Sequence, residues 1–134
     1  MIIKQISVFL ENRAGQLAEI TGILAQNGVD LHALHIAETA DYGVLRLVPD
    51  DAERAAEILQ QHGFVLKLNR VVTVGVPDRP GGLYELLRCV AEAKLDITYM
   101  YSAFSRLDGK AQMVLRTENT DALFALLKQE GFTE

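Results

Sequence analysis

Apolar and polar residues nearly alternate from Ile2 to Leu10, with Ile3, Ile6, Val8 and Leu10 among the apolar positions, well enough for a strand. Residues 11–15, Glu-Asn-Arg-Ala-Gly, read as a turn. Leu17, Ile20, Ile23 and Leu24 then recur at three- and four-residue steps, one stripe of a helix that stops at Asn27-Gly28. Residues 29–38 read as a second strand, 41–43 as a turn and 44–48 as a third strand. Pro49-Asp50-Asp51 opens a second helix, with acidic residues where its dipole favours them and Ala55, Ile58 and Leu59 as its apolar positions. Gly63 ends that helix, and residues 64–68 read as a fourth strand. Strand, helix, strand, strand, helix, strand is the order of the ferredoxin-like fold, an α+β arrangement with an antiparallel sheet and both helices on one face.

The second half says the same thing again. Arg13 aligns with Arg79, Gly15 with Gly81, Leu17 with Leu83, Glu19 with Glu85, Asp30 with Asp96 and Ala37 with Ala103, all at one spacing. A slightly longer spacing then aligns Leu47 with Leu115, Leu59 with Leu127 and Phe64 with Phe132, the slip falling where a turn absorbs an insertion. A duplication fixes the architecture before any other feature does. It predicts two βαββαβ repeats, residues 1–69 and 70–134, with strands at 71–76, 97–104 and 111–116 and helices at 83–93 and 120–130. The final strand of the second repeat has almost no residues left. Residues 1–10, the junction 64–77 and a second subunit are the candidates to fill that edge.

Composition narrows the function. Of 134 residues 49% are hydrophobic and 23% charged, the balance of a globular protein. The net charge is −5, with no basic cluster, which argues against a nucleic-acid partner. No apolar run is long enough to cross a membrane, the first residues lack a secretory pattern, and the single Cys89 has no disulfide partner. Together these features favour a cytoplasmic protein.

The strongest candidate site is the loop between the first strand and first helix of each repeat: Asn12, Arg13, Ala14, Gly15, Gln16 and Leu17, then Asp78, Arg79, Pro80, Gly81, Gly82 and Leu83. Glycine allows a sharp turn and close approach of a ligand, and the amides that follow open a helix at the positive end of its dipole, a seat for a carboxylate. Asn12 and Asp78 suit either a helix cap or a contact to an amino group. A plain tight turn would also explain both loops.

Asp78-Arg79-Pro80-Gly81 matches in full the Asn/Asp-Arg-Pro-Gly turn of the ACT domains, small amino-acid-sensing modules, and Asn12-Arg13-Ala14-Gly15 departs from it only at Ala14. Gly28-Val29-Asp30-Leu31 fits the family's approach to its second strand closely, and Lys94-Leu95-Asp96-Ile97 loosely. The chain therefore resembles a tandem pair of ACT domains over nearly its whole length. The resemblance implies domains paired side by side and a small ligand, usually an amino acid, held at their seam. Turn amides would hold its carboxylate, and Asn12, Asp30, Asp78 and Asp96 its amino group. Many relatives carry Asn where this chain has Asp30 and Asp96, which would disfavour an acidic ligand. His35, Tyr99 and Tyr101 on the second strands are candidates to line the side-chain pocket, with interface packing as the plainer role of the tyrosines.

Other signals lead elsewhere. His32 and His35 lie an odd step apart on a strand, on opposite faces, and no third ligand stands beside them, so no metal and no cofactor is expected. Cys89 falls on the apolar stripe beside Leu86 and Val90 and reads as packing. The expectation is a regulatory binding protein, not an enzyme, working as a homodimer through a partner that the sequence does not name. A ligand-free dimerisation module is the alternative, and an acylphosphatase-like enzyme using Arg13 or Arg79 a weaker one.

Overall fold

The structure, a computed structural model, describes residues 1–11, 13–38 and 42–133. Six strands and four helices follow in the order β1 (Ile2–Glu11), α1 (Gln16–Gln26), β2 (Leu31–Glu38), β3 (Tyr42–Pro49), α2 (Ala52–Gln61), β4 (Leu66–Pro77), α3 (Gly82–Glu92), β5 (Tyr99–Leu107), β6 (Lys110–Arg116) and α4 (Thr120–Gln129). The chain divides into two compact units, one of Lys4–Asn69 and one of Met1–Ile3 with Arg70–Glu134.

In the unit of residues 4–69, β3 pairs antiparallel with both β1 and β2; Val8 faces Leu45, and Leu34 faces Leu47. The alternation along β1 sends Ile6 and Val8 into a core with Leu45 and Leu47 of β3, all at 0% exposure. Ile20 and Leu24 of α1 and Ala55, Ala56 and Leu59 of α2 close over the same core. Each buried leucine or isoleucine contributes about 1.5–3 kcal/mol of transfer free energy. Asp51 caps α2, its Oδ1 accepting from the Arg54 amide at 3.1 Å, as the acidic start of that helix predicts.

In the unit of residues 70–134, β6 pairs antiparallel with β4 and β5, Val72 facing Leu115 and Tyr101 facing Val114. Val72, Val74 and Val76 of β4 pack with Leu86, Val90, Leu115, Leu123 and Leu127. The Thr73 amide donates to the Met1 carbonyl at 2.8 Å, and Ile2 packs against this core. The chain's first residues thus lie beside β4, on the edge that the sequence leaves without a strand of its own. Where strands at 64–68 and 71–76 are expected, residues 66–77 form one continuous twelve-residue strand, and Phe64 and Val65 precede it. Asn69 and Arg70 include no Gly or Pro to break it, and Asn69 Oδ1 accepts from the Ser7 hydroxyl at 2.7 Å while remaining extended.

Helix α1 ends on Gly28 at φ 69°, the Val29 amide reaching back to the Leu24 carbonyl at 3.0 Å. Its repeat counterpart, Lys94, takes the same left-handed conformation at φ 59°, with the Leu95 amide on the Val90 carbonyl at 3.1 Å. A Cβ there costs about 1 kcal/mol. Lys94→Gly is therefore expected to stabilise the protein by about 0.5–1 kcal/mol, read as a higher urea midpoint. An unchanged or lower midpoint would contradict this account of the α3 terminus.

At the start of α4 the Arg70 guanidinium donates to Asp121 Oδ1 at 2.8 Å. That hydrogen bond, with the attraction of the opposite charges, holds the Asp121 carboxyl below its ordinary range. A depressed folded-state value stabilises at pH above the unfolded carboxyl's titration and is lost as pH falls through the folded one. Melting of Asp121→Asn should fall slightly below wild type near neutrality and converge with it in strong acid, the gap staying small because the pair is exposed.

Candidate functional site

Both candidate turns adopt one backbone geometry. Gly15 stands at φ 85° and Gly81 at φ 88°, each at the N-cap position of its helix, where a glycine has no side chain to cap with. The residue at each N-cap position is thus a glycine rather than Asn12 or Asp78, and Asn12 lies outside the described residues. The Asp78 amide instead donates to the Gly109 carbonyl at 3.1 Å.

The turn arginines share an anchor as well. Arg13 Nη2 donates to Glu19 Oε2 at 2.8 Å, with Glu11 Oε2 at 3.5 Å from Nε; Arg79 Nη2 donates to both oxygens of Glu85 at 2.8 and 3.0 Å. The Glu19 hydrogen bond and charge hold the Arg13 guanidinium above its ordinary range. The duplicated Arg and Glu are thus explained together: each Arg ties the turn to the first turn of the helix it enters.

The first turn borders a cleft of about 210 Å³. Arg13, Gly15, Gln16 and Leu17 form one wall, Leu10 and Glu11 of β1 the floor, and Ile36, Glu38, Tyr42 and Gly43 the far side. A second cleft of about 290 Å³ shares Leu10, Glu11, Arg13 and Gln16 and runs toward His62 and Phe64. Gln16 is 5% exposed, and its Oε1 is buried with no hydrogen-bond partner. This combination offers an incoming molecule a helix N-terminus, one unpaired acceptor and an acidic rim.

Other candidates stand apart from the first turn. Asp30 precedes β2, whose far end at Glu38 reaches the cleft; eight residues of strand span roughly 25 Å. Its backbone pairs with Asp50, and its carboxylate lies exposed, 3.9 Å from His32. Asp96 likewise precedes β5, its carbonyl accepting from the Thr117 hydroxyl at 2.7 Å. His35 is half-buried opposite Arg46. Tyr99 and Tyr101 share a face, as their two-residue step predicts, with ring centroids 6.4 Å apart and planes 18° from parallel. Ala14 and Pro80 occupy their turns, and Leu83 stands 41% exposed at the start of α3. Cys89, expected to be buried, is only half-buried. Among the described residues no group of three potential ligands could hold a metal ion, and no helix is long and apolar enough to cross a membrane.

Sequence reasoning missed Glu11, Glu38 and Tyr42. The usable signal was register: Glu11 lies opposite Tyr42, and Glu38 opposite Gly43. Any turn leaving β1 must meet the end of β2 and the start of β3.

Comparison with known proteins places this geometry in context. The family described as an ACT domain pair matches residues 1–130. Protein BT0572 from Bacteroides thetaiotaomicron has a crystal structure that matches with a TM-score of 0.90 at 37% identity, covering 98% of this chain and 90% of that one. The regulatory subunit of aspartate kinase from Thermus thermophilus, in its ligand-free form, matches with a TM-score of 0.66 at 16% identity, covering 96% and 94%. The corresponding subunit from Thermus flavus matches at 0.60 and 17%, with the same coverage. No curated protein sequence matches significantly.

Proposed function

The chain belongs to the ACT domain pair family, and from that membership we propose that it is a regulatory protein that binds a small amino acid at the first turn. The observation that carries the reading is the cleft in which the opening of α1, with glycine at its N-cap, stands beside Gln16 and Glu11. The ligand's carboxylate lies against the first amides of α1, where the helix dipole is positive. Its ammonium group faces the acidic rim of Glu11 and Glu38. A ligand with a second carboxylate would meet that rim unfavourably, so neutral and basic amino acids are preferred.

The engagement of Arg13 by Glu19 and of Arg79 by Glu85 weighs against phosphate chemistry, since an acyl phosphate would have to displace a carboxylate first. The output is binding rather than catalysis. It acts in the cytoplasm through a homodimer or a partner protein whose state changes because the ligand binds two states unequally.

A thermal-shift panel of the twenty amino acids tests the reading. One or a few should raise the melting temperature by mass action at high excess. A uniformly flat panel, with a dimer by light scattering, would favour an assembly module that takes no ligand.

A further inference from the structure

We propose that Gln16 is the specificity-determining residue of the first-half cleft: its Oε1 accepts a hydrogen bond from the ammonium group of a bound α-amino acid. The inference rests on the amino-acid reading above and adds which side chain recognises the ligand's nitrogen, and in which half.

Two observations carry it. The first is the state of the side chain. Gln16 is 5% exposed, its Oε1 has no partner, and the residue lines the clefts of about 210 and 290 Å³ on either side of the turn. A buried carbonyl oxygen without a donor is unfavourable, and native proteins rarely leave one so. The terminal torsion of glutamine is broad, so Oε1 reaches a cleft by rotation about it. An ammonium group supplies the missing donor and has three to offer. The carboxylate on the same α-carbon then falls toward the α1 amides, which begin at Gln16 itself.

The second observation is that the other half cannot copy this arrangement. Gly82 occupies the position equivalent to Gln16, and a Cβ built there would lie 2.0 Å from the Pro77 carbonyl oxygen. No side chain can project from that point, so the second turn lacks the acceptor. One ligand per chain follows.

Calorimetric titration with the twenty amino acids tests the proposal on the intact chain. Wild type should bind the preferred one at one per chain. Its α-hydroxy acid analogue, which lacks the ammonium, should bind at least tenfold more weakly. Gln16→Met, which keeps the length but removes the acceptor, should lose at least tenfold for the amino acid and narrow the difference between the two compounds. Its ligand-free melting temperature should stay level or rise, because an unpaired buried oxygen has gone; a merely structural role would lower it. Gln16→Glu keeps an acceptor and should retain binding, which also covers the case of a poorly folded methionine variant. Affinity within twofold for Gln16→Met, or tenfold loss for Gln16→Glu, would overturn the proposal and leave a trapped water as the partner of Oε1. Two ligands per chain would overturn it too. A flat response by wild type is distinguishable from these results, and would remove the amino-acid reading itself.

Discussion

Gly82→Ala is expected to be among the most damaging single substitutions in the chain, costing roughly 3 kcal/mol or more. The residue is buried in the first turn of α3, and its new methyl would sit 2.0 Å from the Pro77 oxygen and 3.0 Å from the Pro77 carbonyl carbon. Both atoms are backbone, so no side-chain rotation relieves the clash. Nor is Pro77 free to move. It is the last residue of β4, it faces Lys110 across the sheet, and its carbonyl accepts from the Arg79 amide at 2.9 Å. Helix α3 would have to withdraw, opening space around Leu86 and Val90. Gly81, one residue earlier, makes the contrast: a Cβ there meets nothing within 4 Å, so Gly81→Ala pays only for its φ of 88°, about 1–2 kcal/mol. Urea unfolding of the two variants should separate them clearly. Equal midpoints would mean that the α3 approach is softer than its geometry implies.

The same pair of glycines marks how far the sequence could be read. A turn glycine at Gly15 and Gly81 was legible because it came twice, each time between an alternating strand and a helical stripe. The element order was legible for the same reason, and Ile6, Val8, Ile20 and Leu24 fall in the core where periodicity puts them. Gly82 carried no such signal. Its requirement comes from a carbonyl five residues back, a contact between backbone atoms that side-chain pattern does not encode. The continuous β4 was also hidden, because an unbroken strand and two abutting strands have the same alternation. At the site, Arg13 read as a ligand contact and Glu19 as a helix residue; only coordinates tie them to each other. Gln16 was one of six turn residues, and nothing in its letter distinguished it. Burial without a partner did.

Gly15→Val is expected to weaken amino-acid binding roughly thirtyfold while leaving the fold largely intact. Gly15 stands at φ 85°, and a Cβ there meets nothing within 4 Å. The cost of the substitution is conformational: a β-branched residue in the left-handed region carries about 2 kcal/mol of strain. A protein stable by about 5–15 kcal/mol survives that. The turn does not keep its shape, however, because relief comes from rotating Gly15 out of the left-handed well. The same rotation redirects the amides of Gln16 and Leu17, against which the ligand's carboxylate would lie. If the bound state requires the glycine conformation, the full strain falls on binding, and about 2 kcal/mol corresponds to roughly thirtyfold in affinity. Titration with whichever amino acid stabilises wild type reads this directly, with the urea midpoint as control for folding. Affinity within twofold of wild type in a folded Gly15→Val protein would place the ligand elsewhere, and the first turn would then be only the hinge by which β1 enters α1.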